Sequence, residues 1–118
     1  MAYDEYLAER VQRVLHEKKV AFIVKKMMGG LCYMVDDKMC IGVIQSMLMA
    51  RVGPDRYEEL LGQPGARQMD FTGRPMKGYV FVGDEGIDSD ADLARWIQYA
   101  LNFNPEAKSS KKRKKKKA

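Results

Sequence analysis

The stretch Lys25-Lys26-Met27-Met28-Gly29-Gly30-Leu31-Cys32-Tyr33-Met34-Val35-Asp36-Asp37-Lys38-Met39-Cys40-Ile41-Gly42-Val43-Ile44-Gln45-Ser46-Met47-Leu48-Met49-Ala50-Arg51-Val52 decides how the chain reads. Leu31 to Val35, Met39 to Ile44 and Met47 to Val52 are short apolar runs, separated by Asp36-Asp37 and by Gln45-Ser46. Runs of this length with turns this short predict antiparallel hairpins, because parallel strands need a long crossover. Adjacent glycines at 29 and 30 suit a bend or a close backbone approach ahead of the first hairpin.

The flanks complete the pattern. Val20 to Val24 is β-branched and apolar and reads as a strand or the approach to one. Upstream of it, Tyr3, Leu7, Val11, Val14 and Leu15 recur at helical spacing, with Asp4, Glu5, Glu9, Arg10, Arg13 and Glu17 on the other side. An amphipathic helix over about Tyr3 to Glu17 follows. Downstream, Gly53-Pro54-Asp55 starts a short helix whose apolar face is Tyr57, Leu60 and Leu61, stopped by Gly62 and Pro64. Gln63 to Gln68 reads as loop, Met69 to Phe71 as a brief strand, Thr72 to Pro75 as a turn, Met76 to Val82 as a stronger strand and Gly83 to Asp88 as loop. Ser89 with Asp92 three residues on opens a last helix, and Leu93, Trp96, Ile97, Ala100 and Leu101 form its buried stripe. The expected fold is α+β: an antiparallel sheet of about five or six strands, N- and C-terminal helices packed on it, and a short helix inserted mid-chain.

With 118 residues the chain forms one core, over residues 1–107, that needs no disulfide or metal. The charge divides sharply. The formal total is +5, from 21 basic and 16 acidic residues. Lys108, Lys111, Lys112, Arg113, Lys114, Lys115, Lys116 and Lys117 supply eight of the positive charges, which leaves 13 basic and 16 acidic residues, a net of −3, in residues 1–107. The basic character belongs to the tail, 108–118, which has no apolar content to order it. Two readings of the tail compete: an electrostatic arm on DNA, RNA or other polyanions, and a solubilising segment. It has no aromatic to stack on bases, so sequence readout is not expected. The acidic, polar start of the chain lacks the basic and apolar regions of a signal peptide, and no apolar run is long enough to span a bilayer, so a cytoplasmic protein is expected.

Candidate chemistry is thin. His16 is the one histidine and has no nucleophile beside it in sequence, which disfavours both acid–base catalysis and a histidine metal site. Cys32, Cys40, Met34, Met39, Met47 and Met49 are soft ligands of the kind that hold copper(I), but equally the filler of a strand core. A two-residue Asp36-Asp37 turn places Tyr33 opposite Cys40 and Cys32 on the other face; a three-residue turn places both cysteines on one face. In an intracellular chain two cysteines are expected reduced rather than bridged. Gly29-Gly30 lacks the further glycines and the Lys-Ser/Thr of a phosphate loop. Asp84, Glu85, Asp88, Asp90 and Asp92 have the composition but not the order of a calcium loop. No catalytic residue, cofactor or metal is therefore expected, and an enzyme or small-molecule binder is the weakest of three readings.

Lys26-Met27-Met28-Gly29-Gly30, the paired hairpins with Lys38-Met39 past the first turn, the aromatic strand Gly78-Tyr79-Val80-Phe81-Val82 and the helix Leu93-Ala94-Arg95-Trp96-Ile97 together resemble the N-terminal domain of the TfoX/Sxy competence regulators. The resemblance runs over roughly residues 3–104. Met28 stands where that family commonly has phenylalanine, and Asp36-Asp37 and Gln45-Ser46 where it often has Asp-Gly. The separate C-terminal domain of the full-length regulators is not expected here. The resemblance implies a bacterial, non-enzymatic regulatory or protein-interaction domain, in the full-length members acting with another transcription factor on DNA-uptake genes, and offers no catalytic residues to carry over. The partner surface is expected on an exposed sheet face or edge. A homodimer, and a nucleic-acid-associated protein that binds through its tail, remain as alternatives.

Overall fold

The computed structural model of the chain describes residues 4–27, 29–68 and 78–106. Its elements, in order, are α1 (Glu5–Glu17), β1 (Ile23–Met27), β2 (Gly30–Val35), β3 (Lys38–Ile44), β4 (Met47–Arg51), α2 (Pro54–Leu61), β5 (Ala66–Gln68), β6 (Tyr79–Val82), α3 (Asp84–Ile87) and α4 (Asp90–Phe103), closed by a 3-10 turn at Asn104–Glu106. The strands form one antiparallel sheet in the order β1-β2-β3-β4-β6-β5. The expected α+β architecture is the one observed, with six strands.

Directly opposed residues of antiparallel strands share a face, so the register assigns the sheet's two sides. One row runs Val24–Tyr33–Ile41–Ala50–Val80–Gln68 across all six strands. On that side Tyr33, Ile41, Ala50 and Val80 pack with Leu7, Val11 and Leu15 of α1, Tyr57 and Leu60 of α2, Ile87 of α3, and Leu93, Trp96 and Ile97 of α4 in a single core. The neighbouring row runs Lys25–Cys32–Gly42–Met49–Phe81–Arg67 on the opposite side.

The ends of α1 show how local chemistry sets the frame. Asp4 caps the start, its Oδ1 accepting from the backbone N–H groups of Tyr6 at 2.9 Å and Leu7 at 3.1 Å. At the far end Lys19 N–H donates to His16 O and Val20 N–H to Leu15 O, both at 3.0 Å, a Schellman closure with Lys19 at φ 60°. That position favours glycine, because a left-handed conformation crowds the Cβ of any other residue. Lys19 is exposed, so Lys19→Gly is expected to raise stability by about 1 kcal/mol in urea unfolding. The same closure corrects the boundary of the first strand. Val20 is spent on capping the helix, and β1 begins at Ile23 and runs through Lys25 and Lys26 to Met27 rather than ending at Val24.

Three further boundaries differ from the sequence reading. Ala66–Gln68, expected as loop, is β5, because it finds hydrogen-bonding partners along β6 with Ala66 opposite Val82. Asp84–Ile87, also expected as loop, is a one-turn helix anchored by buried Ile87, whose carbonyl accepts from Arg10 Nη2 at 2.8 Å. Asp36-Asp37 is a two-residue turn, but Tyr33 opposes Ile41 instead of Cys40. The register slips between Tyr33 and Met34, and Cys40 is the extra residue of a β-bulge. Asp36 and Asp37 turn at φ 58° and 65°, the left-handed pair that a tight hairpin requires, and Asp is among the few residues that tolerate it. The expected strand at Met69 to Phe71, the turn at Thr72 to Pro75 and the start of the Met76 to Val82 run lie outside the described residues.

Candidate interaction surface

Gly29 and Gly30 connect β1 to β2, with Met27 paired to Gly30. Gly29 turns at φ 77° with open space where a Cβ would sit. Gly30 is different: a Cβ there would meet the Val43 carbonyl oxygen and lie 3.0 Å from Ile44 Cγ1. The first glycine serves backbone direction and the second serves strand approach.

The soft-ligand side chains divide between the two sides of the sheet. Cys32 lies in the second-face row, where its Sγ donates to Met34 Sδ at 3.7 Å. Cys40 packs with the helix-side core. Ile44, Met49 and Phe81, with Met39, Met47 and Tyr79 against them, make a separate apolar cluster on the second face. Burial pushes both thiols up, Cys32 to about 11 and Cys40 to about 12; nearby Lys25 and Arg51 oppose the rise at Cys32, whereas Cys32 itself adds to it at Cys40. These are packing thiols that stay protonated and unreactive near neutral pH. Because the folded state holds these protons more tightly than the unfolded chain, their stabilising contribution is intact below the ordinary thiol value of 9.0 and is lost as pH rises toward 11–12. Thermal unfolding between pH 8 and 10.5 is expected to show a falling midpoint, with a shallower slope in Cys32→Ala/Cys40→Ala.

The remaining candidates have local partners. His16 sits exposed in the last turn of α1, its ring edge-on to Phe22 at 5.4 Å. Asp90 pairs with Arg10 at 3.4 Å and Asp92 with Arg95 at 2.9 Å, and Ser89 Oγ accepts from the Asp92 N–H at 3.0 Å. Among the described residues no group of three or more His, Cys, Asp or Glu side chains is arranged to hold a metal ion. No helix among them is long and apolar enough to cross a membrane. The tail residues Lys108 and Lys111 to Lys117 lie outside the described residues.

What the structure brings together, and the sequence reading did not, is the outer edge of β1. Among the described residues no strand pairs with that edge. Ile23 is 60% exposed and Val24 39%, two of the few large apolar side chains left in solvent. Lys25 and Lys26 beside them are exposed and form no ion pair with any described residue. At the Ile23 end, an open hollow of about 240 Å³ is lined by Ala21, Phe22, Ile23, Met34, Asp36 and Asp37. A signal was present in the sequence: paired lysines following a β-branched run are characteristic of an exposed edge strand. The sequence reading ends the apolar run at Val24, one residue before them.

The sequence model of the TfoX N-terminal domain matches residues 19–104 of the 118-residue chain. No curated protein and no solved structure matches the chain.

Proposed function

The chain belongs to the TfoX N-terminal domain family, a family of regulatory and generally non-catalytic domains, and from that membership we propose that it works by binding another protein, with its lysine-rich tail adding non-specific affinity for polyanions. The observation that carries the reading is the family match over well over half of the chain. The exposed edge of β1 supports it, because unpaired backbone groups next to exposed apolar side chains are a means of recognising an extended segment. Affinity capture from lysate, with the full chain and with a chain ending at Ala107, tests the proposal. A protein retained by both forms is the expected result; no protein retained by either contradicts it.

The tail's part is tested separately. Eight positive charges within residues 108–117 give binding to duplex DNA that weakens steeply with salt, with a log–log slope approaching about −7 when all are engaged. A chain ending at Ala107 is expected to lose retention on immobilised duplex at low salt. Unchanged retention, or a shallow slope for the full chain, removes the tail from the account. The same charges support the second reading, a nucleic-acid-associated protein whose fold serves as a spacing or dimerisation unit.

A further inference from the structure

We propose that the outer edge of β1 takes up an extended, acidic segment of a partner protein as a seventh strand, with two consecutive acidic residues opposite Lys25 and Lys26 and two apolar residues opposite Ile23 and Val24. This rests on the protein-binding reading above and names the chemistry of the partner. An edge strand offers backbone N–H and C=O groups in register, so main-chain hydrogen bonds supply affinity and the side-chain pattern supplies selection. Lys25 and Lys26 are adjacent, so they project to opposite faces, and a strand laid beside them needs its acidic side chains at consecutive positions to meet both. Opposite charges directly across a strand pair are favourable and like charges unfavourable.

The partner is not a second copy of the chain. Pairing two β1 edges would bring four lysines together across one seam, and lysine on an edge is a means of blocking such self-association. The charges that repel another β1 attract an acidic strand. Lys25 and Lys26 are also uncommitted within the described fold, whereas Lys38 donates to Asn104 O at 3.1 Å and Lys18 to Gln98 Oε1 at 2.8 Å. In an antiparallel arrangement the segment reads acidic–acidic–apolar–apolar from its N-terminus. Ala21 and Ile23 both line the hollow beside Asp36 and Asp37, so a segment continued two positions beyond the residue opposite Ile23 reaches it.

The test uses the full chain and two blocked synthetic peptides, Thr-Glu-Glu-Val-Ile-Thr-Leu and Thr-Lys-Lys-Val-Ile-Thr-Leu, with amide hydrogen exchange read by NMR. The acidic peptide is expected to slow exchange in Ile23–Met27 by about tenfold or more at saturation, and the basic peptide to leave it unchanged within about twofold. In Lys25→Glu/Lys26→Glu the preference reverses. That variant keeps the lysine tail, so acidic peptide held by the tail alone would act equally on both chains without protecting β1, and that result overturns the proposal. So does equal protection by both peptides, or protection by neither. Protection of β1 that rises with protein concentration in the absence of peptide would assign the edge to a second copy and overturn it as well. Capture of a partner by the chain ending at Ala107 is read independently, so a negative peptide result leaves the protein-binding reading standing on its own test.

Discussion

Gly30→Ala is expected to lower the unfolding free energy by about 3 kcal/mol, a large part of the margin of a small domain. The added Cβ would meet the Val43 carbonyl oxygen, with Ile44 Cγ1 at 3.0 Å and Ile44 Cα at 3.2 Å. Two of those three atoms are backbone, so no rotamer change relieves the contact; β2 and β3 would have to separate at Leu31 and Val43, which pair beside it. Gly29→Ala is the control one residue earlier. It meets nothing within 4 Å and suffers only the left-handed backbone at φ 77°, so its cost is about 1 kcal/mol. Urea unfolding of both variants separates the roles. Equal costs would mean that both glycines merely turn the chain.

Trp96→Ala is expected to cost about 3–5 kcal/mol. Trp96 is fully buried at the centre of α4, among the side chains that α1, α4 and the helix-side face of the sheet contribute to the core. Its ring meets Tyr99 edge-on at 5.3 Å, and Gly86 is without a side chain where a Cβ would come 3.4 Å from Nε1. Among the described residues the indole N–H finds no hydrogen-bond partner. Trp96→Phe therefore removes a desolvated donor along with part of the ring, and its cost is expected to be under about 1.5 kcal/mol, because a buried unsatisfied group is itself a penalty of about 1–3 kcal/mol. A Trp96→Phe cost equal to that of Trp96→Ala would contradict this division.

The parts of the fold that were legible in the sequence are those where one local rule acts alone. The stripe Leu93, Trp96, Ile97, Ala100 and Leu101 has one periodicity; the first four are buried on α4 and Leu101 is partly buried against the same core. Pro54 at the start of α2 and Ser89 at the start of α4 mark helix beginnings by backbone chemistry that needs no tertiary partner. Where elements depend on distant partners, the sequence was silent. Ala66-Arg67-Gln68 has no strand pattern of its own and becomes β5 because β6 offers it a ladder. The bulge at Cys40 follows from fitting β3 to β2 and to the helix-side core together. Of the run Val20 to Val24 only Ile23 and Val24 enter β1, because Val20 closes α1, which a β-branched run does not disclose.

The interaction surface followed the same division. A sheet face or edge is expected from the sequence, but which strands form the edges depends on strand order, and that order leaves β1 and β5 at the two edges. Exposed Ile23 and Val24 beside exposed Lys25 and Lys26 single out β1. The second face, rich in methionine, reads differently once placed. Met49, Cys32 and Met34 are buried, and burial raises both thiols and packs them among apolar side chains.

The proposed protein binding through the fold rather than through the tail is tested by quantitative capture from lysate with three preparations: the native chain, the chain ending at Ala107, and Lys25→Glu/Lys26→Glu. The account predicts a protein retained by the native and shortened chains and reduced about tenfold or more by the charge reversal, as expected when like charges replace opposite ones along a strand pair. Retention that disappears with the tail and is indifferent to Lys25 and Lys26 would contradict it.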